Sequence, residues 1–200
     1  MSTVLVVKKN GLIAIAADTM TKSGSSRESA DYVVNHEKII PVRESYIALA
    51  GPTSLKLILK DYFATAKNKV RLDTVDAILA SWLHMHEVLK TRYFMNATED
   101  SSDSFETSQA DAVIANKHGI FGVSSYRVVQ EFSKFYSYGQ GSEYAMGAMF
   151  AVYNDPKKTA EDIARIGIQA AAEFDVSTGL PVTIRTVPQT RYPQKVCKLS

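Results

Sequence analysis

The fold of this chain is decided by its first strands, Ser2-Thr3-Val4-Leu5-Val6-Val7-Lys8-Lys9-Asn10-Gly11-Leu12-Ile13-Ala14-Ile15-Ala16-Ala17-Asp18. Asn10-Gly11 is the strongest short indication of a β-hairpin, because Asn and Gly accept the positive φ of a tight turn. In an antiparallel pair the end of the second strand lies beside the beginning of the first. The pattern therefore predicts that Asp18 lies close to Ser2.

Ser2 becomes the amino-terminal residue if Met1 is removed. A hydroxyl is a weak nucleophile at neutral pH, whereas an α-amine titrates at about 7.7–8.0 and can accept the hydroxyl proton. One residue would then supply both nucleophile and base. However, Met-Ser starts are common, and Asp is also an ordinary residue at a strand end. The rest of the sequence therefore has to show whether Ser2 and Asp18 are catalytic.

Length and composition indicate one domain, 1–200, in a cytoplasmic protein. No apolar run is long enough to cross a membrane, and the single cysteine, Cys197, cannot form an internal disulfide. The 23 basic and 21 acidic side chains give a net charge of +2, which argues against nucleic-acid binding.

The predicted elements run in the order strands, two helices, strands, two helices, strand. The predicted strands are 3–8, 12–17, 38–42, 46–50, 111–116, 119–124, 135–138 and 182–187, and the helices follow Pro52, Asp73, Gly141 and Thr159. This order predicts an α+β fold, a four-layer αββα sandwich of two antiparallel sheets between helix pairs.

Apolar spacing predicts which helix faces are buried. The face of the second helix is Val75, Ile78, Leu79, Trp82, Met85 and Leu89. The face of the fourth helix is Ile163, Ile166, Ala170 and Phe174, after a capping box formed by Thr159 and Asp162. His84 and His86 are two residues apart on the second helix, so they diverge and do not form a metal pair.

The segment 3–11, followed by Ala16-Ala17-Asp18-Thr19-Met20-Thr21, resembles the opening of proteasome β-subunits and bacterial HslV, which are N-terminal-nucleophile hydrolases. The resemblance covers nearly the full length and is closest in character to the β-proteobacterial proteasome homologues. It implies the N-terminal-nucleophile hydrolase fold and a threonine-type endopeptidase that uses serine, without a metal or other cofactor.

The resemblance implies five catalytic residues, Ser2, Asp18, Lys38, Asp175 and Thr178. Lys38 matches a lysine that lies beside the nucleophile, where a cation lowers the proton affinity of the amine and favours the alkoxide. Asp18 would keep Lys38 charged and oriented. Thr178 replaces the serine of an Asp-x-x-Ser-Gly element and keeps a hydroxyl able to bond the terminal amine.

Two positions depart from the family pattern. Ala48 matches the glycine whose N–H binds the oxyanion, and alanine keeps that N–H. Gln140, in Gly139-Gln140-Gly141-Ser142, stands where a serine is expected and could hydrogen-bond the amine or the substrate, whereas proton relay through a hydroxyl there is in doubt.

The resemblance also implies a substrate site. The pocket for the side chain before the scissile bond would involve Thr21, Ile40, Tyr46 and Ala50, which predicts a preference for apolar or aromatic residues. Backbone groups around Lys22, Ala48 and Ala50 would pair with an extended peptide as an added strand.

The implied assembly is a homo-oligomer of two stacked rings, 12 or 14 subunits in all, enclosing sites for peptides or unfolded proteins. An ATP-driven unfoldase partner is left open, since no residue establishes it. Two other interpretations stay open: a non-catalytic ring or scaffold subunit, and an amidase that acts on a small amide.

The acidic segment 98–108 carries Glu99, Asp100, Asp103 and Glu106. With little apolar content and much like charge, it is expected to be mobile and to face the ring entrance or cavity.

Overall fold

The computed structural model describes residues 2–66, 70–98 and 103–190, and within these ranges the chain forms eleven β-strands and four α-helices. The strands are β1 Thr3–Lys9, β2 Leu12–Ala17, β3 Thr21–Ser23, β4 Ser26–Glu28, β5 Ile39–Val42, β6 Ser45–Ala50, β7 Asp111–Asn116, β8 Gly119–Val123, β9 Val129–Phe132, β10 Phe135–Gly139 and β11 Thr183–Pro188. The helices are α1 Thr53–Thr65, α2 Val75–Arg92, α3 Ser142–Val152 and α4 Ala160–Phe174. Met1, Glu99, Asp100 and Cys197 lie outside the described residues.

The first sheet has the strand order β10-β1-β2-β11, and its neighbours are antiparallel. The predicted hairpin is confirmed, since Asn10 and Gly11 have φ values of 51° and 77° and Val4 pairs with Ala17. Asp18 follows directly and donates its N–H to the Thr3 carbonyl at 3.2 Å. The start of β1 is therefore enclosed between β2 and β10.

The second sheet has the order β5-β6-β7-β8-β9, and β3 and β4 form a separate hairpin. The sequence did not predict β9. Its central residues, Gln130 and Glu131, are exposed on a strand that pairs on one side only, so no apolar alternation marks it.

Three apolar clusters fill the spaces between four layers, which confirms the αββα sandwich. One lies between the second sheet and α1 and α2 and contains Leu59 and Trp82. The next lies between the two sheets and contains Val4 and Val113. The third lies between the first sheet and α3 and α4 and contains Leu5.

The predicted faces of α2 and α4 are partly wrong. Leu79 is exposed, although Ile78, Trp82, Met85 and Leu89 are buried as predicted. On α4, Ile166 and Ala170 are only partly buried and Phe174 is exposed, whereas the buried face is Ala160, Ile163, Ala164, Gly167, Ile168 and Ala171. Small residues bring this helix close to the sheet, because a Cβ at Gly167 would lie 2.8 Å from Leu5.

The capping box of Thr159 and Asp162 is confirmed. So is the divergence of the two histidines: His84 contacts the Tyr62 hydroxyl, while the buried His86 contacts Ser108 and Glu106. Over the parts of the chain that are described, no helix has the length and apolarity needed to cross a membrane.

The acidic segment is held to α2 at one point. Lys90 Nζ donates to both Glu106 carboxylate oxygens at 2.5 and 2.6 Å, and His86 Nε2 lies 3.1 Å from the same group. Two α2 side chains therefore bind the Glu106 carboxylate, and the mobility of the segment stays a prediction.

Candidate active site

Ser2 lies at one end of the first sheet, immediately before the inner strand β1, with 7% of its surface exposed. Its carbonyl accepts the Gln140 N–H at 3.3 Å. Gly139 is required here on two grounds: its φ is 103°, and a Cβ would lie 1.8 Å from the Ser2 carbonyl oxygen. The turn after β10 therefore fixes the backbone of Ser2.

Asp18 is fully buried and accepts four hydrogen bonds. Oδ1 accepts from the Thr3 N–H at 3.0 Å and from Lys38 Nζ at 2.7 Å. Oδ2 accepts from the N–H groups of Met20 and Gly179, each at 3.2 Å. Burial raises the pKa of Asp18, and the Lys38 ammonium and the N–H donors oppose that shift. Because every neighbour of these oxygens is a donor, the arrangement suits a carboxylate and not a carboxylic acid.

Lys38, immediately before β5, is 6% exposed. Its Nζ donates to Asp18 Oδ1 and, at 2.6 Å, to the Met20 carbonyl, so two of its three protons are committed. Burial lowers the pKa of Lys38, and the Asp18 charge opposes the shift. Lys38 and Ser2 line the same pocket, which places a held cation next to the candidate nucleophile.

A directed chain of hydrogen bonds lies on the other side of the β1 start. The Gly141 N–H donates to Thr3 Oγ1 at 3.0 Å, Thr3 Oγ1 lies 2.6 Å from Thr178 Oγ1, and Thr178 donates to Asp175 Oδ2 at 2.5 Å. Since the Thr178 proton goes to Asp175, the Thr3 hydroxyl must donate to Thr178. Thr178 Oγ1 thereby keeps one lone pair for a further donor.

Two pockets meet at Ser2. The first includes Met20, Thr21, Leu49, Leu55 and Lys56, and the second includes Ala50, Asp111, Tyr136, Tyr138 and Gln140. Gly51, in the bend after β6, lines both. Of the predicted substrate residues, Thr21, Ala50 and Gln140 therefore lie beside Ser2.

The structure does not bring the other predicted substrate residues to the pockets. Ala48 is 0% exposed and lies in the core between the two sheets, inside a strand paired on both sides. Ile40 faces the helix-side core, and Tyr46 pairs with Pro41 near the opposite end of β6. Lys22 lies in the β3–β4 hairpin. Successive residues of a strand face opposite layers. Alignment of β5 and β6 with the family pattern therefore did not show which of their residues line a pocket and which lie in the core.

Several residues line the pockets without having been predicted from the sequence, among them Met20, Leu49, Gly51, Leu55 and Lys56. Gly51 had a usable indication, since a glycine stands between a predicted strand and a helix. A Cβ there would lie 2.8 Å from that of Ala110, so the backbone at this bend packs too closely for a side chain. Leu49 and Leu55 match ordinary core positions, and nothing in their spacing marks them as pocket residues.

Three solved structures have a similar overall fold. The structure of Thiobacillus denitrificans BPH in complex with epoxomicin is 50% identical to this chain, with a TM-score of 0.89, and the match covers 94% of this chain and 100% of that one. The structure of BPH from the same organism is 51% identical, with a TM-score of 0.89 and coverage of 94% and 98%.

A eukaryotic HslV from Trypanosoma brucei shares the fold at 17% identity, with a TM-score of 0.68 and coverage of 94% and 99%. No protein-family model and no curated protein matches. Since half of the residues are identical over nearly the whole of both chains, the chain belongs to the proteasome-like BPH family, the bacterial proteasome homologues.

Proposed function

We propose that this chain is a peptidase in which Ser2, after removal of Met1, is the amino-terminal nucleophile. The observation that carries the proposal is the buried Asp18–Lys38 ion pair, whose lysine lines the same pocket as Ser2. An isolated buried lysine is unfavourable, and here Asp18 keeps it charged at the position where an alkoxide would form.

The chemistry is acyl transfer followed by hydrolysis. The Ser2 α-amine takes the hydroxyl proton, the oxygen attacks the peptide carbonyl carbon, and the protonated amine gives its proton to the leaving nitrogen as the C–N bond breaks. Water then attacks the Ser2 ester, with the amine again as base. Nucleophile and base reside in one residue, and Lys38 stabilises the developing negative charge.

We assign the oxyanion donor to Gly51 in place of Ala48. Gly51 borders Ser2 in both pockets, and it lies one residue beyond the last paired position of β6, Ala50 with Asp111. Its N–H is thus available to a bound carbonyl oxygen, whereas Ala48 is enclosed in the core.

Asp175 and Thr178 are proposed to hold the α-amine. Thr178 Oγ1 uses its proton for Asp175 and keeps a lone pair, which the amine of processed Ser2 would use as an acceptor. Gln140 is tied to the Ser2 carbonyl through its backbone and lines the second pocket. This position suits contact with the substrate.

We propose peptides or unfolded proteins as substrates and homo-oligomeric stacked rings as the assembly. Exposed apolar side chains support association: Leu57 on α1 and Leu83 on α2, and Tyr144 on α3 and Phe174 on α4, whose rings lie 5.5 Å apart. Sedimentation at several concentrations would give the subunit number.

The test is covalent labelling. Intact mass first establishes that Met1 is absent, and the processed protein is then treated with an epoxyketone peptide such as epoxomicin, the compound in the complex with the Thiobacillus protein. We expect an adduct that tandem mass spectrometry places on Ser2, formed by both hydroxyl and amine, and no adduct in a processed Ser2→Ala variant. A folded, processed protein that stays unlabelled would instead support a non-catalytic scaffold.

A further inference from the structure

The first pocket at Ser2 has an apolar wall and one cationic side chain beyond the catalytic pair. Met20, Leu49 and Leu55 are each less than a tenth exposed and line it. Lys56, in the second turn of α1, lines the same pocket. Its Nζ donates to the Asn35 carbonyl at 2.5 Å, which holds the ammonium in place before any ligand binds.

The two lysines of this pocket differ in how their charges are balanced. Lys38 is paired with the Asp18 carboxylate. Within residues 2–66, 70–98 and 103–190, no carboxylate lies within ion-pair distance of Lys56. Glu37 is the acid that influences it, and that carboxylate is already bound by Arg185 at 2.9 Å and by the Ile39 N–H at 3.1 Å.

The local environment makes an anionic partner favourable for Lys56. Partial burial lowers the pKa of the lysine, and the Glu37 charge opposes that shift. The first turn of α1 adds positive potential to the same wall, because it contains no acidic residue and its N-cap provides no side-chain hydrogen bond. A carboxylate that enters the pocket would therefore meet a positioned cation, and no acidic side chain is among the residues that line the pocket.

We infer that this pocket selects an acidic side chain, glutamate above all, in the residue before the scissile bond. Its methylene groups would contact Leu49 and Met20, and its carboxylate would bind Lys56. The inference rests on the proposed function and names its substrate class. It differs from the apolar or aromatic preference that the resemblance implies, because the pocket residues implied by the resemblance do not include Lys56.

The test uses processed protein and three fluorogenic peptides that differ only in the residue before the cleaved bond: Glu, Gln or Lys. Glu and Gln have nearly the same shape, so the ratio of their kcat/KM values isolates the charge. A charge-assisted hydrogen bond predicts a Glu-to-Gln ratio of about ten, with the Lys peptide slowest. The ratio should fall as salt is raised.

Lys56→Met keeps the unbranched side chain up to the position of Cε and removes the ammonium group, so the Glu-to-Gln ratio should fall to about one. Lys60→Met is the matched control. It removes a lysine one turn further along α1 that does not line this pocket and whose charge lowers the pKa of Lys56, so Lys56 stays charged and the ratio should be retained. A ratio near one in the wild type, or a ratio unchanged by Lys56→Met, would overturn the inference while peptide cleavage still upheld the peptidase. If none of the three peptides is cleaved, both this inference and the proposed peptidase function are overturned.

Discussion

Lys38 Nζ lies 2.7 Å from Asp18 Oδ1 in a pair from which water is almost completely excluded. Removing only one charge of such a pair leaves the other buried without a partner, which typically costs about 3–5 kcal/mol. Lys38→Met is therefore expected to abolish peptide hydrolysis and also to lower the stability strongly. Peptide turnover and urea unfolding measure the two effects.

The double variant Lys38→Met with Asp18→Asn separates these effects. It removes both charges, so part of the stability should return, although the NH2 of the introduced amide would face backbone N–H groups that now donate to the Asp18 carboxylate. Hydrolysis should stay absent because the Lys38 cation is missing. Activity in the folded double variant would remove Lys38 from the mechanism.

Threonine, the nucleophile that the resemblance to proteasome β-subunits implies, should serve at residue 2 at least as well as serine. Serine lacks the β-methyl group that restricts χ1, so the attacking rotamer is less populated than in threonine. A Ser2→Thr variant, confirmed by mass to have lost Met1, is expected to cleave peptides at least as fast as the wild type. A large decrease in kcat would mean that the surroundings of residue 2 fit serine specifically.

Gly139 and Gly147 give a matched pair of glycine substitutions. A Cβ at Gly139 would overlap the Ser2 carbonyl oxygen, so Gly139→Ala should destabilise the fold and displace the nucleophile. Gly147 lies in α3 with nothing within 4 Å of the added Cβ, and Gly147→Ala should raise the stability by about 0.5–1 kcal/mol. Thermal unfolding of both variants tests this, and equal effects would contradict it.

His86 should make the stability depend on pH. Burial lowers its pKa below the ordinary value of 6.5, with Arg127 and Lys90 acting in the same direction and Glu106 opposing them. Below about pH 6.5 the unfolded chain therefore binds more protons at His86 than the folded chain does, so the free energy of unfolding decreases as the pH falls.

In His86→Gln this decrease should disappear. Urea unfolding between about pH 5.5 and 7.5 measures it, since Glu106, whose pKa the Lys90 hydrogen bond holds below 4.5, stays ionised there. A pH slope identical in the two proteins would exclude His86 as its source.

The sequence predicted the part of the site that a single hairpin builds. Asn10-Gly11 determines the turn, the turn determines the register of β1 and β2, and the register brings Asp18 to the backbone of Thr3. The placement of Lys38 required the family resemblance, because a lysine before a short strand is otherwise an ordinary surface residue.

The rest depended on packing between elements that are distant in the sequence. Ala48 and Gly51 are three residues apart, yet one is enclosed between two sheets and the other borders both pockets. A Cβ at Gly51 would lie 2.8 Å from the Cβ of Ala110, and one at Gly167 would lie 2.8 Å from Leu5, so both positions depend on the close approach of distant segments. The apolar periodicity of one segment carries no information on such packing between distant segments.

The first strand has no face toward solvent. Val4 and Val6 belong to the core between the sheets, whereas Leu5 and Val7 belong to the core beneath α3 and α4. A shift of one residue would exchange these side chains between two interiors of different shape, so errors of pairing are penalised on both faces. The position of Ser2 is thus set by the interior together with the turn at Gly139 and Gln140, so surface loops that do not touch Ser2 can change in evolution without moving it.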